Sequence, residues 1–383
     1  MKLLKKTILC LIAAGAMGLF SACSEDDPKT IMSEGEKTTD TEGVVGGVTG
    51  FYLLNEGNMG SNKCTLDYYD YATATYYRNI YAENNPEQAL ELGDMGNDIA
   101  CYKGRLYIVV NGSHKVEVLD AATAKRIGQV DINSPRYIVF EGDNAYVSSY
   151  VGGEGDNGSV VRFDIGSLAV TGKVSAGLQP EELAIDGDKL YVANSTLITT
   201  GEYDNTISVI DYKNMTKTGS ITVDINMHHL SIDPYGHMWV SSRGNYADVP
   251  ANLYRLERGA DGVFGNPVAV NRAVSNMAIA DDHIYYYATE YDASWNATYA
   301  YGKLGPIADG GFAYDGSFIS DGAAKDVQTP YCIAVHPANG YVLLTDARNY
   351  TSSGKVYCFG TDGLLKWSAT TGDIPGHIAF VEK

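Results

Sequence analysis

One unit recurs seven times along this chain, and no other feature limits its fold so tightly. The unit is a polar or Pro-led entry, a short apolar strand, a turn of Gly, Asp or Asn, and a Tyr-rich strand. One copy runs Pro135-Arg136-Tyr137-Ile138-Val139-Phe140, Glu141-Gly142-Asp143-Asn144, Ala145-Tyr146-Val147. Another runs Pro180-Glu181-Glu182-Leu183-Ala184-Ile185, Asp186-Gly187-Asp188-Lys189, Leu190-Tyr191-Val192. Aligning the central apolar residue gives Ile99, Ile138, Leu183, Leu230, Met277, Ile333 and Ile378, at intervals of 39, 45, 47, 47, 56 and 45 residues. Such a period fits a four-stranded propeller blade, whose repeats run to roughly 40–50 residues. A third strand is legible in Val116-Glu117-Val118-Leu119-Asp120, Val160-Val161-Arg162-Phe163-Asp164 and Ile207-Ser208-Val209-Ile210-Asp211. Each alternates in side-chain direction and ends on an Asp suited to a turn. The expected fold is all-β, a seven-bladed β-propeller over residues 51–383.

The ends of the array predict how the ring closes. The last copy stops after its first strand, Pro375-Gly376-His377-Ile378-Ala379-Phe380, while the first ordered segment, from Phe51-Tyr52-Leu53-Leu54, lacks that strand. The C-terminal strand should therefore complete the N-terminal blade and bury two edges that an open array would expose.

Ahead of the array, residues 1–22 follow a secretory plan: basic Lys2, Lys5 and Lys6, an apolar run from Ile8 to Phe20, then Ser21 and Ala22. The run is too short to be a spanning helix. Cys23 follows directly, a pattern similar to the lipobox of bacterial lipoproteins, in which that thiol is acylated; ordinary cleavage to a soluble periplasmic product is the alternative. Ser24-Glu25-Asp26-Asp27 resembles the acidic signal that sends Bacteroidetes lipoproteins to the outer face of the outer membrane. Residues 23–50, rich in Glu, Asp, Thr and Gly, read as a disordered acidic tether. Formal net charge is -19, and loss of the three signal lysines makes it about -22, which argues against nucleic acid as a partner. Cys64, Cys101, Cys332 and Cys358 show no CxxC or metal spacing and read as buried apolar residues.

Strand alternation places the turns between first and second strands on one face, and the loops between second and third strands on the other. The former are minimal, as at Tyr102-Lys103-Gly104-Arg105; the latter are longer, at 149–158, 194–205, 242–251 and 289–297. Long loops on a rigid scaffold often hold binding groups. Two of these carry Arg243, Asn245, Tyr246, Tyr291 and Trp295, a further loop carries Arg348 and Tyr350, and the entries to the first strands add Arg136, Tyr137, Asn226, His228, Asn276, Tyr331 and His377 around the channel mouth. Flat aromatic surfaces with amide and guanidinium donors suit a large, uncharged, hydrogen-bond-rich ligand. Surface Tyr, and Asn or Gly at strand entries, also serve the fold alone.

No nucleophile elbow, HExxH, P-loop or EF-hand pattern occurs, and neither a catalytic residue nor a cofactor is assigned. His228 and His229, adjacent on an extended segment, should point to opposite sides. His114, His228 and His377 could meet at the mouth, and a metal-dependent lactonase stays open as an alternative, but strand-entry carboxylates are chiefly Asp98 and Glu181. A surface adhesion module is a third reading.

Leu54-Asn55-Glu56-Gly57-Asn58, Gly60-Ser61-Asn62, Ser134-Pro135-Arg136-Tyr137-Ile138 and Ile374-Pro375-Gly376-His377 resemble stretches of the YncE-like, surface-layer-type propeller lipoproteins of Bacteroidetes. That group includes outer-membrane lipoproteins that capture vitamin B12 and pass it to a TonB-dependent transporter. The resemblance implies a corrinoid-binding, lipid-anchored surface protein with such a transporter as partner.

Overall fold

Residues 35–88, 92–197, 200–259, 262–292 and 294–382 are described by the computed structural model of this chain. Seven radial sheets form the ring, and the seven residues aligned above fall in seven different innermost strands, from Gly96–Tyr102 round to Pro375–Glu382. Blade 1 holds both ends of the described chain. Pro375–Glu382 is its inner strand and pairs antiparallel with Val48–Asn55, setting Phe380 opposite Phe51 and Ile378 opposite Leu53. Blades 2 to 7 begin at Gly96, Pro135, Leu183, Met227, Asn276 and Pro330. The sheet of blade 1 packs on blade 7 through Phe51, Leu53, Tyr69 and Trp367, with Tyr69 and Trp367 stacked at 4.5 Å between ring centroids.

Local chemistry sets the turns. At 102–105, Lys103 and Gly104 both take positive φ, 47° and 73°, as a two-residue hairpin with primed geometry requires. After the third strands of blades 1 to 4 an Asp folds the chain back. Asp70, Asp120, Asp164 and Asp211 accept backbone N–H groups two or three residues on, and Ala74, Ala124, Leu168 and Met215 follow in the left-handed region. The four cysteines within the ring are free, and Cys64, Cys332 and Cys358 are buried.

Two expectations need correction. The disordered tether does not extend to residue 50. Glu36–Lys37 adds a fifth strand to blade 1 beside Thr75–Tyr77, the Tyr69 hydroxyl donates to Asp40, and the Thr370 amide donates to Glu36 across to blade 7. These bonds use backbone and short polar side chains, so no apolar period announced them. Cys23 and the signal segment lie outside the described residues. Blade 6, across the longest interval, has three strands rather than four. After Leu304 the chain meets Pro306, which cannot donate to a ladder, and glycines at 305, 310, 311 and 316. Its apolar Phe318, Ile319 and Val327 then pack against blade 7.

Deleting residues 374–383 should remove the inner strand of blade 1 and with it the single cooperative unfolding transition. A truncated protein that melts at the full-length temperature in scanning calorimetry would contradict closure by this strand.

Candidate functional site

The entries to the inner strands converge on a cavity of about 320 Å³ at the channel mouth, lined in part by Glu56, Arg136, Tyr137, His228, Arg243 and Tyr331. Its floor is a belt in which one blade ties to the next. Asp98 accepts the Ile138 amide at 2.9 Å, and Glu182 accepts the Leu230 amide at 3.0 Å. The Asn97 amide donates to the Arg136 carbonyl, and the Tyr331 hydroxyl donates to Glu56 at 2.8 Å.

Within the belt, Glu181 is a buried hub. Its carboxylate meets Arg136 at 2.8 Å and Arg243 at 3.4 Å, and accepts the Tyr150 hydroxyl at 2.7 Å. Burial would raise its carboxyl, but the two guanidinium groups and the hydroxyl outweigh that effect and hold it below the usual carboxylate range. Arg136 lies over the Tyr150 ring, 4.6 Å from its centroid. Tyr137 is the centrepiece: its hydroxyl bonds His228 Nε2 at 2.8 Å, and the rings of His228, His229 and His377 stand edge-on to it. Burial, with Arg243 nearby, pushes His228 well below its ordinary pKa. His377 sits between Glu56 at 3.5 Å and Asp98 at 3.8 Å. Burial opposes its protonation, yet the carboxylates prevail and raise its pKa. Burial also lifts the Asp98 carboxyl to about 6.

Beside the mouth, the loops after the second strands of blades 5 and 6 enclose a groove of about 520 Å³. Tyr246, Tyr291 and Trp295 line it and are 57%, 51% and 68% exposed. Arg243 borders both cavities.

The structure thus brings Arg136, Tyr137, His228, Arg243, Asn276, Tyr331 and His377 to the mouth, and Tyr246, Tyr291 and Trp295 to the groove. Tyr350 stands near the mouth, 6.1 Å from the Tyr331 ring. Tyr350 and three further expected residues line neither cavity. Asn226 is buried at positive φ, bonded to Ser195 and Gly244; Asn245 holds its own loop through Asp248, Ala247 and Val249; Arg348 sits at a positive-φ turn beside Asp346. Asn and Arg suit a role as ligand donors, but at these positions they shape backbone. His114 also lies away, its Nδ1 accepting the Ser134 amide. His228 and His229 do not point apart. A register shift between Met227 and Leu230 breaks the alternation and sets their rings 3.9 Å from each other. Sequence reading missed Glu56 and Glu182 as mouth carboxylates, although Glu182 follows the Glu181 that it identified. Among the described residues no group of three or more His, Cys, Asp or Glu side chains is placed to hold a metal ion.

The chain belongs to the family described as "Domain of unknown function (DUF5074)", whose model matches residues 49–294. No curated protein matches the sequence. Among solved structures, a quinonprotein alcohol dehydrogenase-like protein from Bacteroides thetaiotaomicron is 16% identical with a TM-score of 0.63, covering 87% of this chain and 78% of its own. A 6-phosphogluconolactonase-like protein from Bacteroides fragilis is 15% identical, with a TM-score of 0.58 and coverage of 87% and 98%. Apo AztD from Citrobacter koseri is 10% identical, with a TM-score of 0.52 and coverage of 87% and 98%. At these identities the likeness is one of fold, and it includes propeller proteins from Bacteroides.

Two histidine variants should respond to pH in opposite senses. With its folded pKa raised, His377 contributes stability that is full below the unfolded value of 6.5 and lost as pH rises through the folded value. His377→Gln should therefore lower Tm more at pH of about 5.5 than at about 8. With its folded pKa depressed, His228 costs stability as pH falls below 6.5, so His228→Gln should gain on the wild type in the same direction. Glu181→Gln, which leaves two guanidinium groups facing a neutral amide, should cost about 3 kcal/mol in denaturant titrations. Parallel pH profiles, or a Glu181→Gln variant of unchanged stability, would contradict this picture of the mouth.

Proposed function

We propose that this DUF5074 chain is a non-enzymatic capture protein, which holds a large, flat, uncharged ligand, a corrinoid, across its mouth face and delivers it to a TonB-dependent outer-membrane transporter. The observation that carries the reading is the exposed aromatic trio Tyr246, Tyr291 and Trp295 in one groove, joined through Arg243 to the polar mouth. A corrin ring is broad, and its edge carries neutral amides. Aromatic faces can pack against the ring plane while Arg243, Asn276 and Tyr331 offer polar partners to its side chains. The ligand exceeds either cavity, so it would span both. Glu56 and His377, which lie in stretches that resemble the YncE-like propeller lipoproteins of Bacteroidetes, both border the mouth.

Binding of this kind asks for no reacting group. Glu56, Glu181 and Glu182 are each engaged by a neighbouring side chain, an arrangement that favours a fixed receptor surface. In the same proposal Cys23 carries the lipid that anchors the protein at the outer face of the outer membrane, and residues 24–34 link it to the propeller.

Calorimetric titration of the lipid-free protein with cyanocobalamin should give saturable binding near one to one. Trp295→Ala should weaken it about tenfold, the loss of roughly 1.4 kcal/mol expected for an aromatic anchor. Absence of heat and of any spectral change at tens of micromolar protein would overturn the corrinoid reading.

A further inference from the structure

The rim of the ring treats its outer strands alike, with one exception. In blades 2, 3, 4 and 7 the outermost strand carries a cation, Arg126, Lys173, Lys217 or Lys366. In each of those blades the pairing with the third strand also contains a register shift, at Val118/Leu119, Arg162/Phe163, Val209/Ile210 and Cys358/Phe359. In blades 1 and 5 the outermost strand is only two residues long, Glu36–Lys37 and Val268–Ala269. Charges, bulges and brevity are the means by which edges are kept from pairing with other chains.

Blade 6 has none of these along half of its edge. Its outermost strand, Ala297–Leu304, is eight residues long and runs in unbroken register against His283–Tyr291. Its one charge, Lys303, lies in the lower half, where the Lys303 amide donates to Gly316 and its carbonyl accepts from Asp315. Those bonds point away from the neighbouring strand. Because the direction alternates along an antiparallel strand, Tyr301, Tyr299 and Ala297 present their N–H and C=O groups outward as well. Among the described residues none of these groups has a backbone partner. The stretch 297–302 contains no charge and no Pro, and its tyrosines suit a strand.

We propose that this free edge receives an extended segment of a partner protein as the fourth strand of blade 6. An edge offers alternating donors and acceptors that only another extended backbone matches fully. Charge narrows the choice of partner. Glu290 and Asp292 flank the upper end of the hairpin, Asp309 lies in the segment that follows it, where Asp315 is already paired with Lys303 and His283, and the chain as a whole carries -19. The complementary segment is therefore uncharged at its centre and basic at its ends, whereas a second copy of this chain would bring like charge against like. The same hairpin carries Tyr291 and Trp295 at its tip, so a strand added here would border the aromatic groove without filling it.

A synthetic heptapeptide with Lys at each end and alternating Thr and Val between them tests the idea against the intact protein. In the free protein the Tyr299 and Tyr301 amides should exchange with solvent far faster than those of Ala288 or Ala300, which face the neighbouring strand. Millimolar peptide should slow both at least fivefold, and a version with Glu at each end should do so much less. Tyr299→Pro, which deletes one outward N–H, should abolish the protection. Should that variant fail to fold, exchange in the unaltered protein still decides the matter. Outward amides that are already protected without peptide, or that stay fast at several millimolar, would overturn the proposal. Concentration-dependent dimerisation in sedimentation runs, with protection of the same amides, would replace the partner with a second copy.

Discussion

A β-strand at the margin of a sheet exposes a row of hydrogen-bonding groups, and the organisation of this molecule follows from how those rows are disposed of. Around the channel the problem is solved by closure. The innermost strand of blade 1 comes from the far end of the chain, so no inner strand is left over and the ring cannot open without unpairing Pro375–Glu382 from Val48–Asn55. Around the rim it is solved locally, by a Lys or Arg, a bulge or a very short strand. The N-terminal segment takes part as well, since Glu36–Lys37 caps the outer side of blade 1 and reaches blade 7 through Glu36.

Closure also decides where polar chemistry can collect. Seven inner strands enter the channel side by side, and each brings one or two side chains into a space too narrow for them to remain separately hydrated. Buried polar groups must then satisfy one another. The Glu181 carboxylate with Arg136, Arg243 and Tyr150, the Tyr137 hydroxyl on His228, and His377 between Glu56 and Asp98 are three such solutions. Each joins different blades, so the mouth is cross-linked by its own polar groups and presents a fixed surface.

What could be read from the sequence follows the distinction between periodic and singular features. The seven inner strands and the closing strand were legible because apolar alternation and turn chemistry repeat in every blade. Tyr246, Tyr291 and Trp295 were legible because large aromatics in long loops have little structural use there. Asn226, Asn245 and Arg348 misled the reading because Asn and Arg near turns shape backbone as often as they bind; the positive φ of Asn226 and Arg348 is visible only in coordinates. The bulge that turns His229 beside His228 is likewise singular, since one extra residue in one strand leaves no periodic trace. The three-stranded blade 6 had a faint signal in the interval of 56 residues between Met277 and Ile333, where a longer repeat carries fewer strands.

Arg243 shows how ring and loops become one surface. It is the first residue after the second strand of blade 5, so the strand aims it and the loop beyond it remains free to form the groove. Its guanidinium reaches back to Glu181 of blade 4 at 3.4 Å, longer than the 2.8 Å that Arg136 makes to the same carboxylate. Glu181 is thus held chiefly by Arg136, and Arg243 is the looser partner, one-third exposed at its side chain. A group with a spare hydrogen-bond donor set at the junction of an aromatic groove and a polar channel can turn toward a ligand without leaving a buried carboxylate unpaired. Replacing Arg136 would take the closer cation from that buried carboxylate, whereas replacing Arg243 would remove the longer contact and leave the hub standing. The division of labour between the two arginines separates the part of the mouth that holds the ring from the part available to bind.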